Sequence, residues 1–297
     1  MTKAEGGKRI DLSATDRIAV VAGSGRLPVN VADCLADAGH APFIVLIDGE
    51  TDPGTSLWGY EGKALAIEQF ASLVQLLRRE RITHLVLAGG ISRRPVWRAI
   101  RPSVPLFRIL PRALAGLARG DDGLLRTLVS LIEDNGIKVV GAHQVVPDLL
   151  ATEGRIGAHA PQDGDWADLR AGLEAARAIG ALDIGQAAVA IGGRAIALEG
   201  IEGTDLLLER VRDLRTNGRI AGRKRGVLVK CAKPGQEMRA DLPTIGPATV
   251  DAAHAAGLAG IGVEAGRSFV LDVGDVVERA DRLGLFVVGV TGERGNT

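Results

Sequence analysis

The sequence predicts an α/β protein of two domains, a parallel-sheet domain followed by a separate mixed α/β domain. Three observations carry this. The chain has 297 residues, more than a single hydrophobic core usually serves. Short apolar runs alternate with amphipathic helical stretches through the first half, the pattern of right-handed crossovers in a parallel sheet. Residues 153–165 then hold three glycines and a proline with few large apolar groups, the composition of a connector.

The elements follow in order. Residues 17–22 (RIAVVA) read as a buried strand ending in glycines. Val29, Val31, Ala32, Leu35 and Ala36 put a helix over 28–38, stopped by Gly39. Residues 42–47 (PFIVLI) are a second strand. Leu65, Ile67, Phe70, Leu73, Val74, Leu76 and Leu77 predict one amphipathic helix over 64–80. Residues 82–88 (ITHLVLA) are a strand closed by Gly89 and Gly90. Four prolines make 93–111 irregular. Helices follow at 111–119 and 122–135, capped by Gly136, then a strand at 137–141.

The second half reads as a helix (166–179), a hairpin-like pair (187–191 and 195–199) and a helix (204–213). A strand (226–231), a helix (246–256), two strands (259–263 and 268–271), a helix (274–283) and a strand (285–290) complete it. The expected division is a disordered tail at 1–16, a first domain at 17–150, a linker at 151–164 and a second domain at 165–297.

Hydrophobic residues are 46% and charged residues 24% of the chain, which excludes a disordered polymer. Basic and acidic side chains balance at 36 each, so no global field draws it to nucleic acid. Aromatics are only 3%, which argues against a base-stacking or sugar-stacking platform. Cys34 and Cys231 are the only cysteines. They exclude a four-thiolate zinc site and a disulfide framework, and point to a reducing cytosol. No apolar run approaches the ~20 residues that span a bilayer. A membrane-derived substrate would be met at the surface.

Gly23-Ser24-Gly25-Arg26-Leu27-Pro28 joins a strand to a helix. Glycines allow a tight turn, and the free N–H groups of a helix start can hold an anion. Arg26 could fork onto a phosphate. Pro28 stands where a dinucleotide fingerprint needs its third glycine. A second loop, Ala88-Gly89-Gly90-Ile91-Ser92-Arg93-Arg94, leaves another strand end, where parallel sheets bind ligands. In the second half, Asp183-Ile184-Gly185-Gln186 precedes a strand. Glu202-Gly203-Thr204-Asp205 opens a helix. Lys230 to Pro243 (KCAKPGQEMRADLP) is a polar loop after a buried strand. Loops on rigid scaffolds carry function. Carboxylates here suit Mg²⁺, which takes one or two of them plus phosphate oxygens. The residues thus point to metal-assisted chemistry on a phosphate ester or anhydride. His143, in GAHQ, could serve as a base, but its place at a strand end favours a satisfied structural histidine.

Taken together, AGSGRLP, the SRRP loop, GDDGLLRTLVSLIEDNGIKVVGAH, LDIGQAAVAIGG, EGTDLLLERV, KPGQEMRADLPTIG, LAGIGVEAGRS and LGLFVVGV resemble the LpxI-type UDP-2,3-diacylglucosamine pyrophosphatases of lipid A biosynthesis. The resemblance runs from about residue 17 to 290. It implies hydrolysis of UDP-2,3-diacylglucosamine to lipid X and UMP, with Mg²⁺, by a cytoplasmic homodimer peripheral to the inner membrane. It implies a Rossmann-like N-terminal domain, with substrate held between it and the C-terminal domain. Asp241 matches the family's essential acid, and Asp205 a further metal or metal-water ligand. Lys230, Lys233, Gln236, Glu237 and Arg239 fall where substrate is gripped. Arg26, Ala88, Gly89, Gly185, Gln186, Gly203 and Thr204 match the remaining contacts. Glu237 stands where an aspartate is common. Two other readings stand beside this one: a nicotinamide-dependent oxidoreductase using GSGRLP, and a non-catalytic module that binds a lipid-linked nucleotide sugar.

Overall fold

The computed structural model describes residues 9–91, 120–220 and 225–291. The arginines of SRRP, the helix expected at 111–119 and the first eight residues lie outside that range. By their contacts the described residues form two units. Residues 9–147 with Glu237–Asp241 make the N-terminal unit, and Asp148–Gln236 with 242–291 make the C-terminal unit.

The N-terminal unit is built on β1 (Ile18–Ala22), β2 (Phe43–Ile47), β3 (Gly62–Leu65), β4 (His84–Ala88) and β5 (Lys138–Gly141). They pair in the order β3-β2-β1-β4-β5, every pair parallel. This is the doubly wound arrangement, with its switch point between β1 and β4. Helix α1 (Leu27–Asp37) follows β1 and buries Val31, Ala32 and Leu35. Helices α2 (Leu73–Arg79) and α3 (Gly120–Glu133) serve the core that Val21, Val45, Leu85 and Val139 form with Leu73, Leu77, Val129 and Ile132. Strands buried on both faces read as continuous apolar runs, which is why β1, β2 and β4 stand out in the sequence.

β3 does not. It is an edge strand with only Leu65 buried, and residues 67–72 form a 3-10 turn ahead of α2. The helix expected at 64–80 is thus three elements. Its apolar spacing is helical only from Leu73 onward. Nor is the tail disordered from residue 9 onward. Ile10 N–H bonds the Gln144 carbonyl at 2.9 Å, and the Asp16 carboxylate lies 3.6 Å from His84 Nδ1.

The C-terminal unit holds β6 (Gly154–Ile156), β7 (Ala187–Ala190), β8 (Ala195–Leu198), β9 (Val227–Lys230), β11 (Gly260–Glu264) and β13 (Phe286–Val290), ordered β6-β13-β11-β9-β7-β8. The central pairs are parallel and the outer ones antiparallel. The short strands β10 (Thr244–Ile245) and β12 (Phe269–Val270) pair separately. Helix α5 (Asp163–Ala181) covers one face through Leu169, Leu173 and Ala176, against Val227, Val229 and Val288. Helices α6 (Gly203–Thr216), α7 (Pro247–Ala255) and α8 (Val273–Leu283) cover the other, against Leu228, Ile261 and Val287. The alternation along β9 assigns its side chains to the two faces. The expected linker at 151–164 contains β6, which pairs with β13. Strand β6 buries little side chain, so glycine-rich composition hides it. The four-residue helix α4 (Ala142–Val145) lies back in the N-terminal unit, directly after β5.

Candidate active site

In the N-terminal unit, the two glycine loops leave adjacent strands at the switch point and bond to each other. Ser24 N–H donates to the Gly90 carbonyl at 2.8 Å, and Gly90 N–H returns a bond to Ser24 at 3.2 Å. The approach is closer than a side chain permits. A Cβ on Gly23 would fall 2.3 Å from the Gly90 oxygen, and one on Gly89 2.4 Å from the Ser24 oxygen. Gly89 also has φ +85°. Pro28 is buried in the first turn of α1, and Arg26 before it is exposed. Ala88 ends β4, so Arg26, Ala88 and Gly89 share the carboxyl edge of the sheet, where such sheets hold ligands.

Residues 237–241 belong to the same unit. Arg239 forks onto Glu237 through Nε–Oε1 at 2.8 Å and Nη2–Oε2 at 2.9 Å, and reaches Glu133 on α3 at 2.8 Å. The Glu237 carboxyl is held below the usual range, first by the Arg239 side-chain bond. Ala240 N–H and Asp241 N–H both donate to the Glu237 carbonyl, at 2.9 and 3.2 Å. This turn presents Asp241 exposed. It abuts the end of β5, where a Cβ on Gly141 would sit 3.2 Å from Arg239 Cα and 2.3 Å from His143 Cε1. The His143 imidazole is folded over Gly141. Burial pushes its pKa down, and the Met238 backbone pulls it partly back. Its Nδ1 is enclosed, with no hydrogen-bond partner among the described residues.

In the C-terminal unit the three polar segments converge. Cys231 N–H bonds the Gln186 carbonyl at 3.1 Å. Lys233 pairs with Asp183 at 2.6 Å. Glu199, on the end of the hairpin, accepts from Gln186 N–H at 2.8 Å and from the Thr204 hydroxyl at 2.5 Å. Lys230 is buried and donates to the Thr244 carbonyl at 3.0 Å. Gln236 is buried, with its Oε1 accepting from Lys233 N–H at 2.8 Å. Gly203, at φ +80°, opens α6. Asp205 lies in the first turn of α6, exposed. No hydrogen bond or ion pair holds its carboxylate among the described residues. Gly185 is pressed onto the Glu199 backbone, where a Cβ would meet the carbonyl at 2.4 Å.

Glu199 and Glu133 are absent from the sequence-based set. Glu133 holds Arg239 from far along the chain, whereas Glu199 holds Gln186 and Thr204 from nearby and leaves a trace as an acid ending an apolar strand. Among the described residues no group of three or more His, Cys, Asp or Glu side chains converges on a metal site. A hard cation that keeps waters and binds substrate phosphates needs only one or two carboxylates. Exposed Asp205 in the C-terminal unit and exposed Asp241 in the N-terminal unit each fit that donor chemistry singly. No described helix is long and apolar enough to cross a membrane.

The fold and these clusters define an α/β protein of two units, the first a doubly wound parallel sheet with both glycine loops at its carboxyl edge. Residues 17–149 match the LpxI N-terminal domain and residues 152–288 the LpxI C-terminal domain. The chain belongs to the LpxI family. It is 42% identical over 276 residues to the UDP-2,3-diacylglucosamine pyrophosphatase LpxI of Caulobacter vibrioides, covering 92% of this chain and 97% of that protein. Among solved structures it is distantly similar to CobK precorrin-6A reductase, at 15% identity and TM-score 0.31, over 91% of this chain and 98% of that one. It is likewise similar to a GalE-like L-threonine dehydrogenase from Cupriavidus necator, at 10% identity and TM-score 0.32, over 94% and 87%.

Proposed function

We propose that this chain hydrolyses the pyrophosphate bond of UDP-2,3-diacylglucosamine, releasing UMP and 2,3-diacylglucosamine 1-phosphate (lipid X), a step of lipid A biosynthesis. The observation that carries it is the family match through both domains, together with a curated pyrophosphatase aligned over 97% of its length. The oxidoreductase and binding-module readings have no such support.

The water oxygen bonds to one phosphorus, the bridging P–O bond breaks, and the water's proton passes to solvent or to a product phosphate. The protein's part in such a reaction is positioning and charge neutralisation. Lys230, Lys233 and Arg239 supply cationic charge. Lys233 and Arg239 are each already paired with an acid of their own unit, so gripping a phosphate requires a change of partner. Gln186, Thr204 and Gln236 offer polar contacts, and Arg26 with the Ala88-Gly89 loop offers the sheet edge. A bound Mg²⁺ would neutralise pyrophosphate charge and acidify a water. Asp241, in the N-terminal unit, and Asp205, in the C-terminal unit, are each a candidate to hold it. We read the enzyme as a cytoplasmic homodimer peripheral to the inner membrane, to be checked by light scattering and vesicle co-sedimentation.

The test is UMP release from UDP-2,3-diacylglucosamine with Mg²⁺, then with excess EDTA. Metal-dependent release is expected. Lipid X binding without release would refute the catalytic reading in favour of a binding module.

A further inference from the structure

We infer that Glu199 is a positioning residue that makes the Thr204 hydroxyl an obligate hydrogen-bond acceptor, so that this side chain recognises a donor on the sugar, a hydroxyl or amide N–H, and not a phosphate oxygen. This rests on the proposed function and deepens it.

Glu199 is 6% exposed. Each of its carboxylate oxygens has one donor, Gln186 N–H on Oε2 and the Thr204 hydroxyl on Oε1. No cation pairs with it among the described residues. A buried carboxylate is a poor source of stability, and a well-packed apolar group often serves as well or better. Its worth lies in what it orients. A hydroxyl has a single proton. Thr204 gives that proton to Glu199 and keeps only lone pairs for a ligand.

The backbone of the neighbouring segment is committed within the unit. Gln186 uses its N–H on Glu199 and its carbonyl on Cys231 N–H. Its side-chain amide, with Oε1 enclosed and no partner on that oxygen among the described residues, can turn either its oxygen or its NH2 toward a ligand. The Asp205 carboxylate follows Thr204 directly in the chain. A phosphate oxygen, itself mainly an acceptor at neutral pH, gains nothing from the Thr204 lone pairs, whatever a cation on Asp205 or the N–H groups of the α6 start offer it elsewhere. Those lone pairs suit the hydroxyls and amide N–H of a diacylated glucosamine.

Glu199→Gln tests this. Gln186 N–H still requires an oxygen, so the amide nitrogen turns toward Thr204. The threonine proton is then directed outward, which inverts its polarity and leaves the shape unchanged. Lipid X binding is measured by calorimetry in EDTA, so that metal-bound water cannot supply the donor. E199Q and Thr204→Val should each weaken lipid X by about tenfold, the scale of one hydrogen bond with a desolvated partner. KM should rise by more than kcat falls. Thr204→Ser should recover most of the loss. The E199Q/T204V pair should be no worse than either alone, since both remove one interaction.

Wild-type affinity of E199Q or T204V in EDTA would overturn the inference. So would additive losses, or losses that appear only with Mg²⁺. Should E199Q fail to fold, T204V binding as tightly as T204S would overturn it alone. If the wild type binds lipid X but releases no UMP, the catalytic reading fails while this inference is still decided by the affinities.

Discussion

Arg239→Lys separates two roles for that side chain, grip on substrate and staple of its own turn. Arg239 makes two bonds to Glu237 and one to Glu133. A lysine ammonium cannot reproduce the planar fork and keeps about one of them. Charge-assisted bonds contribute about 1.5–3 kcal/mol when protected, but exposed ion pairs contribute only about 0.2–1 kcal/mol. The Arg239 side chain is 34% exposed and Glu237 17%, so the net loss falls near the low end, about 1–2 kcal/mol. For a protein of this size that is roughly 2–8 °C in Tm. The pH dependence has a definite sign. The Glu237 carboxyl is depressed in the folded state, first by its bond to Arg239. Its contribution is therefore complete above the unfolded value of about 4.3 and is lost as pH falls through the folded value. The stability gap between wild type and R239K should be constant near neutrality, start to narrow below the unfolded value, and close only as pH falls through the lower folded value. Because Ala240 and Asp241 hang on the Glu237 carbonyl, turnover should fall with it, and a shift of about 1 Å can cost roughly a hundredfold. Urea melts across pH, together with UMP release, measure both. An unchanged Tm with a raised KM would refute the staple and return Arg239 to direct substrate contact.

Asp241→Ala should lower turnover by about two to three decades and leave lipid X binding measurable, and normal UMP release by that variant would sink the assignment of the acid. Gly141→Ala should destabilise the N-terminal unit by about 1–3 kcal/mol through overpacking, because its Cβ would strike the His143 ring; in a thermal melt, adding His143→Ala should recover part of that loss. The Cys231 thiol, fully enclosed and pushed up by burial to about 12, should resist iodoacetamide at pH 8 until the chain is unfolded, as read by mass spectrometry.

What was legible in the sequence follows from burial. β1, β2 and β4 lie inside a parallel sheet and announce themselves as unbroken apolar runs. β3 and β6 are edge strands with few buried side chains. In the sequence β3 merges with a helical pattern and β6 with a connector, since backbone pairing leaves no apolar mark. The same reasoning explains the polar residues. Gly203, Thr204 and Asp205 were recognisable because a helix start imposes a local pattern. Glu133 is not, because Arg239 lies on a segment that only the fold brings near; Glu199 is close to Gln186 and Thr204 in the chain, but no local pattern marks its carboxylate as their acceptor.

The loop KCAKPGQEMRADLP makes the sharper point. In the sequence it is one polar stretch, and its residues look alike as candidates. In the structure it divides after Gln236. Lys230, Lys233 and Gln236 bond to Thr244, Asp183 and Lys233 within the C-terminal unit. Glu237, Arg239 and Asp241 are set by Glu133, by the Gly141 end of β5 and by one another within the N-terminal unit. Each half thus answers to a different core, and a substitution in one should leave the other's geometry intact. Lys233→Ala should therefore not shift the pH at which Glu237 titrates, whereas Arg239→Lys should raise it. Carboxyl NMR of the two variants would decide this, and a Glu237 shift in K233A would show that the loop acts as a single piece after all.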